Sequence, residues 1–198
     1  MTPRYRPPNP GFVEQTAILR DVQLPEVRGV EGGQAKASFT PFPWLVILTQ
    51  DCDLQFDRLA RAGTPLKEGG APVKKDKMLR SILLCPAFSQ DHVTAGIYIE
   101  GASAVKGTRK VMVLENRHER FHLLPSEEPL MHEPLVLDFK LTVAAHPDYL
   151  QQWLKANPAG VVAVLNPPFR DRLMQRFVNY FGRRRRGCSD TEKRGLYS

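Results

Sequence analysis

The chain of 198 residues is 42% hydrophobic and 25% charged, enough for one sizeable core and within the globular range, which excludes wholesale disorder. Its net charge is +7, but the last sixteen residues, "RRRRGCSDTEKRGLYS", hold six Arg or Lys against Asp190 and Glu192, so +4 lies there and +3 in the body to Gly182. No apolar run reaches spanning length, the opening residues lack an apolar leader core, and Cys52, Cys85 and Cys188 form no C-x-x-C pair; a cytoplasmic protein with reduced thiols and no membrane partner is expected.

In chain order, residues 1–42 read as an extended N-terminal arm and loop, proline-rich at first and then carrying "EVRGVEGGQAKASFTPFP". Residues 43–182 read as a single globular α+β domain, and 183–198 as a basic flexible tail. Trp44 to Thr49 is the first core strand, its continuous aliphatic residues suited to burial on both faces. A helix follows, with Leu54, Leu59 and Ala62 on one side and Gly63 as its stop. A polar connection, "GTPLKEGGAPVKKDK", leads to the strand "MLRSILLC", stopped by Pro86. "KVMVLEN" and "ERFHLLP" are expected to pair as strands around a turn at "NRH", and "EPLVLDFKLTV" to form one further strand. "PDYLQQWLKA" opens with proline in a helical first turn, and "GVVAVL" is a strand or a buried lead-in. The last helix, in "NPPFRDRLMQRFVNYFG", has Asn166 as cap, Gly182 as stop and an apolar stripe of Phe169, Leu173, Phe177 and Phe181.

Three constellations bear on chemistry. Asp51, Cys52 and Asp53 follow the first strand. A nucleophilic Cys52 would need its thiolate, which two flanking carboxylates oppose; a metal site would use the carboxylates and the thiolate. The preferred reading is a helix start, with a carboxylate accepting first-turn amide protons and Cys52 packed inward. The second is "HERFH", a literal H-E-x-x-H. On a helix His118 and His122 would bind zinc with Glu119 as general base, whereas on a strand the histidines stand about 13 Å apart. The composition around Phe121 favours the strand, so no metal or cofactor is favoured, and zinc is the alternative. The third is basic: Lys74, Lys75, Lys77 and Arg80; Arg109 and Lys110; Arg117 and Arg120; Arg170, Arg172 and Arg176; and Arg183, Arg184, Arg185 and Arg186. Gathered on one folded face these would track phosphates; scattered, they are a solvated rim. No P-loop, G-x-G-x-x-G or G-x-S-x-G is present.

The phrase "PWLVILTQDCDL" and the C-terminal "FVNYFGR" resemble an uncharacterised bacterial family whose strand ends in T-Q-x-C-D-L, over roughly Pro43 to Arg183. That family is distantly similar to the PemK/MazF-like toxins, through the strand "LVILT". The resemblance implies a small SH3-like β-barrel packed by a C-terminal helix, and RNA cleavage as the toxins' activity, although their catalytic arginine and threonine or serine match no position here. The expected fold is therefore α+β, a curved, mainly antiparallel sheet with an SH3-like barrel as its closed form, packed by the C-terminal helix. The expected function is a non-enzymatic module for a protein or nucleic-acid partner in a toxin-antitoxin, phage-defence or mobile-element system. The alternatives are a zinc-dependent hydrolase and a MazF-like endoribonuclease.

Overall fold

The computed structural model describes residues 2–31 and 33–187, with the backbone alone for 27, 28, 30, 31, 35, 37 and 183–187. Eight strands form one antiparallel sheet: β1 (Tyr5–Arg6), β2 (Ala17–Glu31), β3 (Gln34–Ile47), β4 (Ile82–Ser89), β5 (Phe121–Leu124), β6 (Leu135–Asp138), β7 (Val143–Ala145) and β8 (Val161–Leu165). Their order is β1-β8-β2-β3-β4-β6-β5, with β7 beside β4. The end strands β1 and β5 do not pair with each other, so the α+β expectation holds while the sheet stays open and forms no closed barrel. Among the described residues five helices complete the fold: α1 (Asp51–Ala62), α2 (Gln90–Ala95), α3 (Gly107–Leu114), α4 (Pro147–Ala156) and α5 (Phe169–Gly187).

Side-chain alternation along the strands creates two apolar faces. Val46, Cys85, Leu137, Ala163 and Leu165 look toward α5, which contributes Leu173, Phe169 and Phe177. Leu45, Ile47, Leu84 and Val164 look the other way, onto Leu54 of α1 and Leu150 of α4. Near the β5–β6 end that second face is covered by Val93 of α2 and Val113 of α3, packed on Phe121, Leu123 and Val136. Each large apolar side chain buried in this way contributes about 1.5–3 kcal/mol before ordering costs.

Several sequence expectations change here. Residues expected as arm and loop are the longest strands: "EVRGVEGGQAKASFTPFP" lies in the β2–β3 ribbon, where Glu26 pairs with Ser38 and Gln23 with Pro41. The first ten residues are anchored by β1, whose Tyr5 is buried and donates its hydroxyl proton to the Pro125 carbonyl at 2.7 Å. Strand β4 runs through Pro86, because Ile82–Leu84 pair with β7 and Ala87–Ser89 with β6; the proline falls in the break between those partners, where no second neighbour needs its amide proton. "KVMVLEN" is mostly helix α3, and β5 pairs with β6 instead. The expected strand "EPLVLDFKLTV" is split by a 3-10 turn at Phe139–Leu141, in which the Asp138 carboxylate accepts the Lys140 amide proton.

The helix at "PDYLQQWLKA" forms as expected, and "GVVAVL" takes the strand alternative, as β8. Gly63 ends α1 in the left-handed region, at φ 61°, as its sequence position suggested, but the buried side of α1 is Leu54, Asp57 and Ala60. Helix α5 does not stop at Gly182; its backbone continues to Gly187, through the first residues of the expected tail, while the remainder of that tail lies outside the described residues. Asn166 caps α5 through its backbone: its carbonyl accepts from the Arg170 amide, and its side chain donates to the Pro3 carbonyl.

Candidate nucleic-acid interface

Strand β5 is the last of the sheet, so one side of its backbone has no strand neighbour, and side chains supply the missing partners. Asn116, held at φ 55°, accepts from the Leu123 amide at 2.7 Å and donates to the Leu123 carbonyl at 2.9 Å, imitating a strand. Arg176 reaches over from α5 and donates to the carbonyls of His118 (2.6 Å), Phe121 (2.9 Å) and Asn116. Its guanidinium is thus bound by neutral oxygens, and no carboxylate offsets its charge among the described residues. Burial lowers its pKa from the ordinary arginine value.

On the opposite face of the same strand end, Asp138 is fully buried and takes two hydrogen bonds from Arg120, one from Nε at 2.7 Å and one from Nη2. The Tyr98 hydroxyl joins the pair, 3.1 Å from Arg120 and 3.3 Å from Asp138. Hydrogen bonding to Asp138 raises the Arg120 pKa, and burial followed by the charge of Asp138 raises that of Tyr98. This network pins the loop between α3 and β5 to the sheet.

The two H-E-x-x-H histidines are separated by this architecture. His118 lies in the α3–β5 loop, where Arg109 Nε donates to its Nε2 at 3.1 Å. Desolvation and then the charges of Arg109 and Arg120 lower its pKa. His122 sits within β5, 4% exposed, on the face that packs against α5, its ring 6.3 Å from that of Phe139. Burial and then Arg176 and Arg172 depress its pKa to about 3, so it is neutral at pH 7. Both rings therefore face arginines, which repel a metal cation, and Glu119 stands in the loop outside any helix. Among the described residues no three His, Cys, Asp or Glu gather as a metal group.

Asp51, Cys52 and Asp53 do begin α1, although no side chain caps it. Asp51 instead ties distant segments together, accepting the Gln15 amide proton at 2.7 Å and an Arg170 Nη1 proton at 3.1 Å. Cys52 is exposed, which corrects the expectation that it packs inward; Asp53 is exposed beside it. The cleft of about 340 Å³ alongside is lined by Asp51, Glu14, Gln55, Asp57 and Arg58.

The basic residues divide in two. Lys74, Lys75, Lys77 and Arg80 are exposed next to α1, where Leu79 is held by Asp57 and Arg61 on the face that α1 and α4 cover. Arg109 and Lys110 on α3, Arg117 and Arg120 in the loop, and Arg172 and Arg176 on α5 surround the β5 end. Arg170 is drawn to Asp51 and Asp171 instead. The backbone of α5 continues through Arg183, Arg184, Arg185 and Arg186. Sequence inspection missed Arg176 as an edge clamp, Asp138 as the buried partner of Arg120, and the contribution of Arg4; an acid in an otherwise apolar "LVLDF" run was the one visible signal. Among the described residues no helix is long and apolar enough to cross a membrane. Comparisons with protein-family models, curated proteins and solved structures find no match.

Proposed function

We propose that the protein is a non-enzymatic binding module for nucleic acid, which it engages by its phosphates through the face built from α3, the loop before β5 and α5. The observation that carries this reading is the Arg176 guanidinium, held by three carbonyls with no ion-paired carboxylate among the described residues, near Arg109 and Arg172, while Arg117 is paired with Glu115 and Glu119 lines the cleft beside it. A desolvated positive charge on a rigid edge projects a field that solvated lysines on a loop do not. Recognition of this kind is sequence-blind and salt-dependent. A cytoplasmic setting, from the cysteine pattern and the lack of a spanning run, and a place in a toxin-antitoxin, phage-defence or mobile-element system, from the sequence resemblance, belong to the same proposal.

The test is fluorescence anisotropy of labelled single-stranded RNA and DNA against salt concentration. Neutralising Arg109, Lys110 and Arg117 together is expected to reduce the slope of log K against log salt by about 2. Neutralising Lys74, Lys75 and Lys77, beside α1 and away from the β5 edge, is expected to leave it within about 0.5 of wild type. Equal effects of the two triple variants, or no binding at low salt, would overturn the reading.

A further inference from the structure

Between the first turn of α5, the N-terminal segment and β5 lies a cleft of about 70 Å³, lined by Arg4, Asn116, His122, Leu165, Phe169 and Arg172. At ~30 Å³ per water molecule it has room for about two waters, hence for one compact group and not for a base or a sugar. Its polar lining is unusual in three respects. The Arg4 guanidinium lies 5.0 Å from the centre of the Phe169 ring, and Arg172 is exposed at the mouth; neither side chain has a carboxylate partner among the described residues. His122, 4% exposed, has a buried Nδ1 with no hydrogen-bond partner, in a protein where such atoms are few. The first turn of a 19-residue helix stands at the same place with the positive end of its dipole, although the Arg170 and Arg172 amides are bonded to the Asn166 and Pro168 carbonyls and Asp171, paired with Arg170, lies in that turn. Asn116 is already committed to Leu123, and the Glu127 carboxylate nearby is bound to the Arg4 amide at 2.8 Å.

We propose that this cleft is a phosphate subsite, with Arg4 and Arg172 flanking one tetrahedral oxyanion and the His122 ring offering it a hydrogen bond from the sheet side. It deepens the nucleic-acid reading and rests on it for the source of the phosphate: a terminal phosphate, or one phosphodiester of a strand crossing the β5 edge. The adjacent Arg176, whose charge no carboxylate meets, adds to the attraction. His122 remains neutral there, since burial and the arginines disfavour its protonation, and it serves as a fixed polar group in a cationic surrounding.

The experiment is a titration of the full chain with inorganic phosphate, followed by the imidazole nitrogen resonances of His122 in NMR spectra, beside anisotropy titrations with 5′-phosphorylated and 5′-hydroxyl oligonucleotides. Saturable shifts of His122, with Arg172→Ala weakening phosphate binding about tenfold and Lys75→Ala less than about twofold, support the subsite. Tighter binding of the 5′-phosphorylated strand identifies a terminal phosphate; equal binding, with His122 shifting for both, identifies a phosphodiester. Unmoved His122 resonances overturn the subsite, and if oligonucleotides still bind with a salt-dependent affinity the basic face survives without it. Shifts of His122 by phosphate with no oligonucleotide binding keep the subsite and overturn the nucleic-acid reading.

Discussion

Arg120 and Arg176 stand on opposite faces of the same strand end, and they handle the same charge in opposite ways. Arg120 meets Asp138, a carboxylate with no exposure, and the pair is electrically closed. Arg176 meets only carbonyls, so it satisfies β5 while its charge remains available to the surface. One guanidinium stitches the fold without a field, and the other stitches the fold and makes one. Counting arginines cannot distinguish them; the partner oxygen does.

The contrast can be broken from either side. Asp138→Ala leaves Arg120 half-buried without its anion, and the expected loss is about 3–5 kcal/mol, measured by urea unfolding. The next effect is a pH dependence. With the folded pKa of His122 near 3 and the unfolded one near 6.5, the unfolded state binds the extra proton between those values. The stability His122 contributes is therefore intact above pH 6.5 and is lost as the pH falls toward 3. Between pH 7 and pH 4 the loss is on the order of 3 kcal/mol, and His122→Leu is expected to flatten that part of the acid slope relative to wild type.

Arg176→Met removes three hydrogen bonds from the β5 edge, with an expected cost of about 2 kcal/mol. It should also raise the His122 pKa, because a repelling charge is gone; an NMR titration reads this directly. If that pKa does not move, Arg176 is electrostatically as silent as Arg120. Smallest of all, Cys52→Ala is expected to change stability by less than about 0.5 kcal/mol and to leave nucleic-acid affinity unaltered, since Cys52 is exposed and fills no part of the core.

What could be read from the sequence had local causes. Helix α4 announces itself by proline in its first turn and α5 by a four-residue aromatic repeat; β8 is a compact β-branched run. The failures were questions of partners. "KVMVLEN" is too short for periodicity to separate helix from strand, and Val113 becomes helical because it fills the apolar site between α2 and β5. In the sequence Pro86 reads as a stop because nothing local reveals that β4 changes neighbours there. The β2–β3 ribbon was hidden by Gly29, Gly33 and the prolines at 25, 41 and 43, residues that suit a two-stranded edge as well as a loop. At the candidate site the arginines are visible as types, but the gathering of some of them around the β5 edge follows from strand order, which no spacing encodes.

The position of β8 between β1 and β2 has a consequence for how the chain comes to be folded at all. Tyr5 has to wait for Leu165, since β1 has no sheet neighbour until β8 arrives. During synthesis from the N-terminus nearly the whole domain therefore emerges before its first strand can dock. Closing so long a loop costs about 4–5 kcal/mol of chain entropy. The β2–β3 ribbon, joined by a tight connection, can form early, whereas the β1–β8 seam is among the last long-range pairings to form. Until then the β2 margin at Ala17–Leu19 is unpaired, which leaves the nascent chain prone to intermolecular strand pairing for as long as β8 has not docked.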